Sequence, residues 1–289
     1  MPAADVVISI RDLRKYFDAP DGRRVPVLDG ITVDIYRGET LVVMGGSGCG
    51  KSTLLNCMIG EYEVDDGEIN YRTNDMPAAR NIVGMAEQEL NEIRKRFGIL
   101  FQSGALFNSM TVAQNVALPL WEHSHVDPSI IDIVVTLKLQ MVHMLPHREK
   151  MPAQLSGGQK KRAGLARALA LDPEILYYDE PSAGLDPVTS AAIDELIMDL
   201  SKKLKVTSVV VTHEMDSAFR IADRMVMLDR GRVLKIGTRD EFDALRKADS
   251  RDLTTREEQL IHQFLNGHST GPLTDVEGLS EYEKLLIPE

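Results

Sequence analysis

Residues 40–53 decide the fold: Thr40-Leu-Val-Val-Met44, then Gly45-Gly46-Ser47-Gly48-Cys49-Gly50-Lys51-Ser52-Thr53. An apolar, β-prone run meets glycines at once and then a helical pattern, so the segment reads strand, loop, helix. Gly45 to Ser52 fits G-x-x-x-x-G-K-[ST] in the structural context that gives this motif its meaning. Its glycines let successive backbone N–H groups curl around phosphate oxygens, and the following helix points its positive end at them. Lys51 supplies a point charge for β- and γ-phosphates, and Ser52 offers a hydroxyl to Mg²⁺. A glycine-rich turn with a chance Lys-Ser is the competing reading, and the flanking strand and helix weigh against it.

Outward from this loop, short apolar runs without clean alternation recur at Phe97–Phe101, Ile175–Tyr178 and Val206–Thr212. That pattern suits parallel strands buried on both faces. Helices lie between them, the clearest being Val188–Leu204, with Ile193, Leu196, Ile197, Leu200 and Leu204 on one stripe. Near the amino terminus Val6–Ile10 reads as a strand, and Asp21-Gly22 signals a hairpin turn towards Val25 and Val27. Gln102 to Leu171 is mostly helical around a Pro-rich loop at Leu145–Pro152, and reads as a helical subdomain (about 103–171) inserted between two core strands. Residues 239–289 carry twelve acidic against six basic side chains, with no recognisable core pattern and a helix expected around Thr255–Leu265. The expected organisation is therefore one α/β domain over 5–238 and an appended extension over 239–289.

Composition narrows the function classes. A chain of 289 residues buries about three-quarters of its unfolded surface, so it needs no disulfide or metal staple. Its formal charge of −11 argues against a surface built for a nucleic-acid backbone, and 5% aromatics argue against a base-stacking platform. The longest apolar runs fall far short of the roughly 18 residues of a spanning helix. The start Met-Pro-Ala-Ala-Asp has no secretory pattern. Two cysteines, Cys49 and Cys57, show neither metal spacing nor a disulfide framework, which fits a reducing compartment. A soluble, cytosolic chain is the expectation.

Two further stretches carry chemistry. Ile175-Leu-Tyr-Tyr-Asp179-Glu180 is a buried strand ending in two carboxylates, where side chains face the crevice of an α/β sheet. Asp179 suits Mg²⁺, held through water, and Glu180 suits a base that orients or deprotonates an attacking water. Leu155-Ser156-Gly157-Gly158-Gln159 opens a helix running to about Leu171. A hydroxyl beside free N–H groups at a helix start makes a second phosphate-binding end. One chain already has its phosphate loop, so a second clamp suggests that two copies face each other.

In this order and spacing, Gly45–Ser52, Leu155–Gln159, Tyr178-Asp-Glu-Pro-Ser-Ala-Gly-Leu-Asp186 and His213 resemble an ABC transporter ATPase subunit over roughly residues 5–238. The resemblance implies a P-loop NTPase (RecA-like) core with an amino-terminal antiparallel β subdomain and an inserted α-helical subdomain. It implies ATP with Mg²⁺, and a homodimer. It makes Gln102 the nucleotide sensor that coordinates Mg²⁺ or water, Asp186 an acid at the dimer interface, and His213 a γ-phosphate contact. Phe17 falls at the adenine-stacking aromatic, with Tyr16, one place away, the other candidate. The segments Arg94–Phe107, Asn115–His123 and Gln263–Gly267 with Gly271-Pro272 resemble ATPases that serve MCE-protein lipid transporters of the Mla type. That implies a lipid substrate, an MlaE-like integral membrane permease, an MCE substrate-binding protein and a small accessory subunit, the alternatives being an ABC importer or exporter of another solute or a non-transport ABC ATPase; no nucleic-acid partner is expected. It also implies a peripheral position on the cytoplasmic face of the inner membrane, and an extension that packs across the partner ATPase.

Other candidates weigh less. His123-Ser-His125 reads as an exposed loop pair, and Lys160-Lys161-Arg162 as a solvated helix face. Cys49, close to Lys51 and a helix end, is expected to have its thiolate favoured and so to be open to alkylation.

Overall fold

The computed structural model describes residues 5–20, 22–269 and 271–272; Asp21 of the expected hairpin turn and the stretch 275–289 lie outside them. The elements in chain order are β1 (Val6–Asp18), β2 (Arg24–Tyr36), β3 (Thr40–Gly45), α1 (Lys51–Met58), β4 (Asp66–Tyr71), β5 (Arg80–Asn81), α2 (Glu87–Arg94) and β6 (Phe97–Leu100). After them come α3 (Val112–His123), α4 (Pro128–Met141), α5 (Gly157–Ala168), β7 (Ile175–Asp179), α6 (Pro187–Leu204), β8 (Thr207–Val211), α7 (Met215–Ile221), β9 (Arg224–Asp229), β10 (Arg232–Thr238), α8 (Arg239–Lys247) and α9 (Arg256–Asn266).

Two sheets result. One has the order β2-β1-β4-β5 with antiparallel pairs, the other β10-β9-β3-β8-β7-β6, parallel from β9 to β6 with β10 antiparallel at its edge. The central strands serve two cores at once. Val42 and Met44 of β3, Leu176 and Tyr178 of β7, and Met225 and Met227 of β9 face the helices α3 to α9. Their neighbours Leu41 and Val43, Ile175 and Tyr177, and Val226 and Leu228 face α1 and the antiparallel sheet. Successive strand residues point to opposite faces, and burial on both removes the polar alternation. The hydroxyls of Tyr71 (β4) and Tyr177 (β7) hydrogen-bond across the second core, and Tyr71 also donates to the Met58 carbonyl at 2.7 Å.

Helix starts follow their caps. Asp186 caps α6 ahead of Pro187, whose missing N–H costs nothing at the first helical position. Ser156 with Gln159, and Thr111 with Gln114, form reciprocal capping boxes on α5 and α3. Of the stripe expected on α6, Ile193, Leu196, Ile197 and Leu200 are buried, while Leu204 is exposed because the helix ends there. The expected strands are present within a residue or two at each end, and β1 runs on to Asp18.

The residues after 238 depart from expectation. Thr238 ends β10 and caps α8 directly, so the chain passes into the extension without a break. Phe242 of α8 is fully buried, and Ile261 and Leu265 of α9 join the same core. The extension thus does supply core residues, against the sequence expectation. Phe242 and Leu245 of α8, and Leu260, Ile261, Phe264 and Leu265 of α9, do fall at helical spacing, but each stripe is only two or three turns long and is set among charged residues. Burying a side chain such as Phe242 contributes about 2–3 kcal/mol.

Candidate functional site

The phosphate loop is shaped by positions that accept no side chain. Gly45 has φ 147°, and a Cβ there would lie 2.3 Å from the Leu228 carbonyl oxygen and 2.7 Å from Cys49 Sγ. Gly50 caps α1 at φ 104°, a conformation open to glycine. Lys51 Nζ donates to the Gly45 and Gly46 carbonyl oxygens, both at 2.8 Å, so its ammonium is folded back over the loop. Neutral carbonyls hold that charge in place without cancelling it. Cys49 corrects its expectation: it is buried, and burial pushes its thiol pKa up despite Lys51 Nζ lying 3.9 Å from the sulfur. The protonated thiol is a packing group beneath the loop.

Strand register carries the second half of the site to the same edge. In β8, Val211 pairs with Val43 of β3 on one side and Asp179 of β7 on the other. The loop that follows β3 and the acids that end β7 therefore flank one strand, about 10 Å apart. Burial, and then the neighbouring Glu180 charge, push the Asp179 carboxyl above the usual carboxylate range; Lys161 and Lys51 oppose this. Glu180 sits at φ 47°, uncommon for a residue with a side chain. Its N–H donates to the Val211 carbonyl at 2.9 Å, and its Oε1 is 2.7 Å from His213 Nδ1. His213 follows β8 by two residues, so adjacent strands bring the acid and the imidazole together. A carboxylate anchored to a histidine at the carboxyl end of a parallel sheet is placed to accept a proton from water.

Lys161 departs from the solvated position expected of it. It is 4% exposed, and Nζ donates to the Glu180 carbonyl oxygen at 2.7 Å. Sequence spacing holds a hint, since Lys161 lies four positions beyond Gly157 on the face that carries Gly164, Leu165 and Ala168 inward.

A cavity of about 830 Å³ runs from the phosphate loop to the first hairpin. Gly48, Gly50, Lys51, Ser52 and Thr53 line one end, and Phe17 of β1 lines it as well, whereas Tyr16 packs beneath the Arg24 guanidinium. Phe17 is 40% exposed and meets Tyr62 edge-on at 5.6 Å, leaving ring area open to a flat ligand. Arg23, Arg24, Arg230 and Arg232 outnumber Asp29, Asp229 and Glu257 in the lining, so the cavity is locally cationic on an acidic chain. Glu257, from the first turn of α9, is a lining residue that sequence reasoning did not foresee.

Ser156 and Asp186 gather elsewhere. The Asp186 carboxylate accepts from the Val188 and Thr189 N–H groups at 3.1 and 3.0 Å, and these bonds with the Thr189 hydroxyl hold its pKa low. Thr189 packs so closely on Gly158 that a Cβ there would lie 2.5 Å from its methyl. The start of α5 and the start of α6 thus form one unit, and neither Ser156 nor Asp186 lines the Lys51 cavity. Gln102, just past β6, is exposed.

With that geometry in place, a family profile described as an ABC transporter matches residues 28–183. The chain belongs to the ABC transporter family. This ABC ATPase is 40% identical over 96% of its length to the "probable ribonucleotide transport ATP-binding protein mkl" of Mycobacterium leprae, covering 72% of that protein. It is 37% identical to the "intermembrane phospholipid transport system ATP-binding protein MlaF" of Haemophilus influenzae, over 92% of this chain and 94% of that one. Against MlaF of Escherichia coli K12 it is 36% identical over 91% of each. Among solved structures, it matches a dimeric post-hydrolysis ATP-binding cassette bound to ADP and Pi with a TM-score of 0.71 and 28% identity, over 80% of this chain and 98% of that one. It matches cbiO1 of Clostridium perfringens, part of an ABC transporter complex, with a TM-score of 0.74 and 29% identity, over 86% and 96%. This ABC ATPase is the ATP-binding, ATP-hydrolysing subunit of a transporter. Among the described residues no helix is long and apolar enough to cross a membrane.

Proposed function

We propose that this ABC ATPase powers phospholipid trafficking between membranes. Two copies would dock on an MlaE-like permease that works with an MCE protein and a small accessory subunit, at the cytoplasmic face of the inner membrane. The carrying observation is the span of the MlaF likeness: 92% of this chain, well beyond the cassette segment at 28–183 and into the extension.

The separation of the two phosphate-binding ends supports a homodimer. ATP held by Lys51 of one copy would meet the Ser156 helix end and Gln159 of the other, with Asp186 and Val188 at the seam. Val188 is 79% exposed, and an apolar side chain so bare beside a cap suits burial against a second chain. Within one copy, Phe17 stacks on adenine, the loop N–H groups and Lys51 hold the triphosphate, and Thr53 faces its inner phosphate. The Glu180 carboxylate, fixed by His213, orients the attacking water and takes its proton. His213 keeps its second ring nitrogen for the γ-phosphate. Closure of the dimer excludes water and strengthens these contacts, and hydrolysis removes the ligand the copies share.

Ser52, Asp179 and Gln102 offer a hydroxyl, a carboxylate and an amide. A few hard oxygen donors beside a phosphate site fit Mg²⁺, which keeps waters and binds substrate phosphates. A divalent cation would also offset the burial that raises the Asp179 pKa. When bound, Mg²⁺ neutralises charge on the β- and γ-phosphates. The permease contact is assigned to Leu106, half-buried, and Phe107, 51% exposed, at the mouth of the helical segment.

A second reading, nucleotide transport, is favoured by the name of the mycobacterial relatives. Purification of the intact membrane complex separates the two. Lipid trafficking requires an MCE-type subunit, co-purifying phospholipid, and ATP-dependent lipid transfer between vesicles. ATPase stimulation by ribonucleotides, with no lipid transfer, would decide for the alternative.

A further inference from the structure

Lys161 has no part in the mechanism above, yet its burial demands an account. An ammonium taken out of water is costly unless its hydrogen bonds are met by polar partners. Its shortest contact is to a backbone oxygen, the Glu180 carbonyl at 2.7 Å, and not to a carboxylate. That carbonyl belongs to the residue whose backbone is least comfortable in the site, with φ 47°. Besides Lys161, it receives the Ala183 N–H at 3.3 Å. The Glu180 peptide is thus pinned from β8 through its N–H and from α5 through its carbonyl, while its side chain is pinned by His213. Persistent left-handed backbone at a residue with a Cβ needs such over-determination. Asp179, Glu180 and Glu214 all act favourably on the Lys161 charge, so the ammonium also softens the repulsion between adjacent carboxylates.

We propose that Lys161 is a positioning residue: it holds Glu180 in the turn that aims its carboxylate, and so ties the helix beginning at Ser156 to the hydrolytic carboxylate. The inference rests on the reading of Glu180 as the group that orients water. Lys161 lies five residues beyond Ser156 on one rigid helix, a rise of about 7.5 Å. A shift of the α5 start, when a second copy presents its nucleotide there, therefore reaches Glu180 through one hydrogen bond. Substrate binding and hydrolytic competence are linked without any contact between Lys161 and ATP.

The test uses the purified full chain, with steady-state ATPase rates, ATP affinity and single-turnover rates for K161M, K161R, E180Q and the K161M/E180Q double variant. Methionine keeps the apolar stem and removes the donor. The expected result for K161M is a fall in kcat of about 10- to 100-fold, the scale of a small misplacement of a reacting group, with ATP affinity within about twofold of the parent. K161R, which can still donate, recovers most of the rate. In the E180Q background K161M lowers the residual single-turnover rate no further, because the two changes act through one group. A parental kcat for K161M, or the same fold loss with and without E180Q, overturns the inference. Near-parental turnover of E180Q alone overturns the role of Glu180 itself, which is a separate failure. Should K161M fail to fold, K161A, which also removes the donor, takes its place in the same cycle. A loss of kcat that vanishes in the E180Q background then supports the inference, and a parental kcat or an equal loss in both backgrounds overturns it.

Discussion

Gly98→Ala tests whether the packing of α5 on the sheet governs the site. Gly98 is the second residue of β6, and its φ is ordinary, so only space is at issue. A Cβ at this position would stand 2.4 Å from the Ala168 carbonyl oxygen and 2.5 Å from Leu176 Cδ2, where ordinary contact begins near 3.4 Å. The side-chain methyl can turn away; the carbonyl belongs to the end of α5 and cannot. The helix end must back off by about 1 Å, and overpacking of this kind costs about 1–3 kcal/mol. Some of that, about 0.5–1 kcal/mol, returns because alanine loses less entropy than glycine on entering a strand. A net loss of up to about 2.5 kcal/mol should move the urea midpoint with the m-value unchanged. Since α5 also carries Ser156 and Lys161, kcat for ATP should fall, by up to about 100-fold if a full ångström reaches Glu180. An unchanged midpoint together with an unchanged kcat would refute the claim that this close approach sets the position of α5.

Two further outcomes probe other links. Phe242→Ala removes a fully buried ring from α8 and should destabilise the chain by about 3–5 kcal/mol in equilibrium denaturation; a loss under about 1 kcal/mol would mean the extension is not part of the core. Arg220→Ala removes the Nη1 partner, at 2.6 Å, of the buried Asp194, leaving the Ser217 hydroxyl at 2.5 Å. Burial already holds the Asp194 pKa above the usual range, and losing Arg220, which lowers it, raises it further. An acid with a raised folded pKa destabilises the fold when ionised and is relieved as pH falls through that pKa. The variant's deficit, about 1–3 kcal/mol near neutral pH because Arg220 is 40% exposed, should therefore shrink in acid. A deficit independent of pH in denaturation curves would sink this account.

The phosphate loop was legible because its chemistry is local: glycines, a lysine and a hydroxyl at fixed spacing between a strand and a helix. Asp179, Glu180 and His213 were legible one by one as ends of apolar runs. Their convergence was not, because it depends on β8 lying between β3 and β7, an order no spacing reveals. Strands β4, β5, β9 and β10 escape the sequence reading altogether. Met225-Val-Met-Leu228 followed by Arg230-Gly231 and then Val233 and Ile236 carries a hairpin signal that could have found the last two. Lys161 and Cys49 depart from expectation for a shared reason. Charge and proximity in sequence suggest exposure and activation, while tertiary burial acts the opposite way on both groups. The extension is misleading in sequence because two short helices lend the core a few large side chains and otherwise display charge.

The central claim is that Glu180, set by its strand end and held by His213, makes ATP cleavage possible at a site completed by a second copy. Glu180→Gln keeps the side-chain length and a hydrogen bond to His213 and removes the capacity to take a proton. ATPase rate and sizing-column mass, measured on this one variant with ATP and Mg²⁺, decide the matter. Turnover should fall by about 100-fold or more, within the range of general-base loss, and an ATP-bound dimer should persist. Turnover near the parental rate from a chain that stays monomeric with ATP would contradict it.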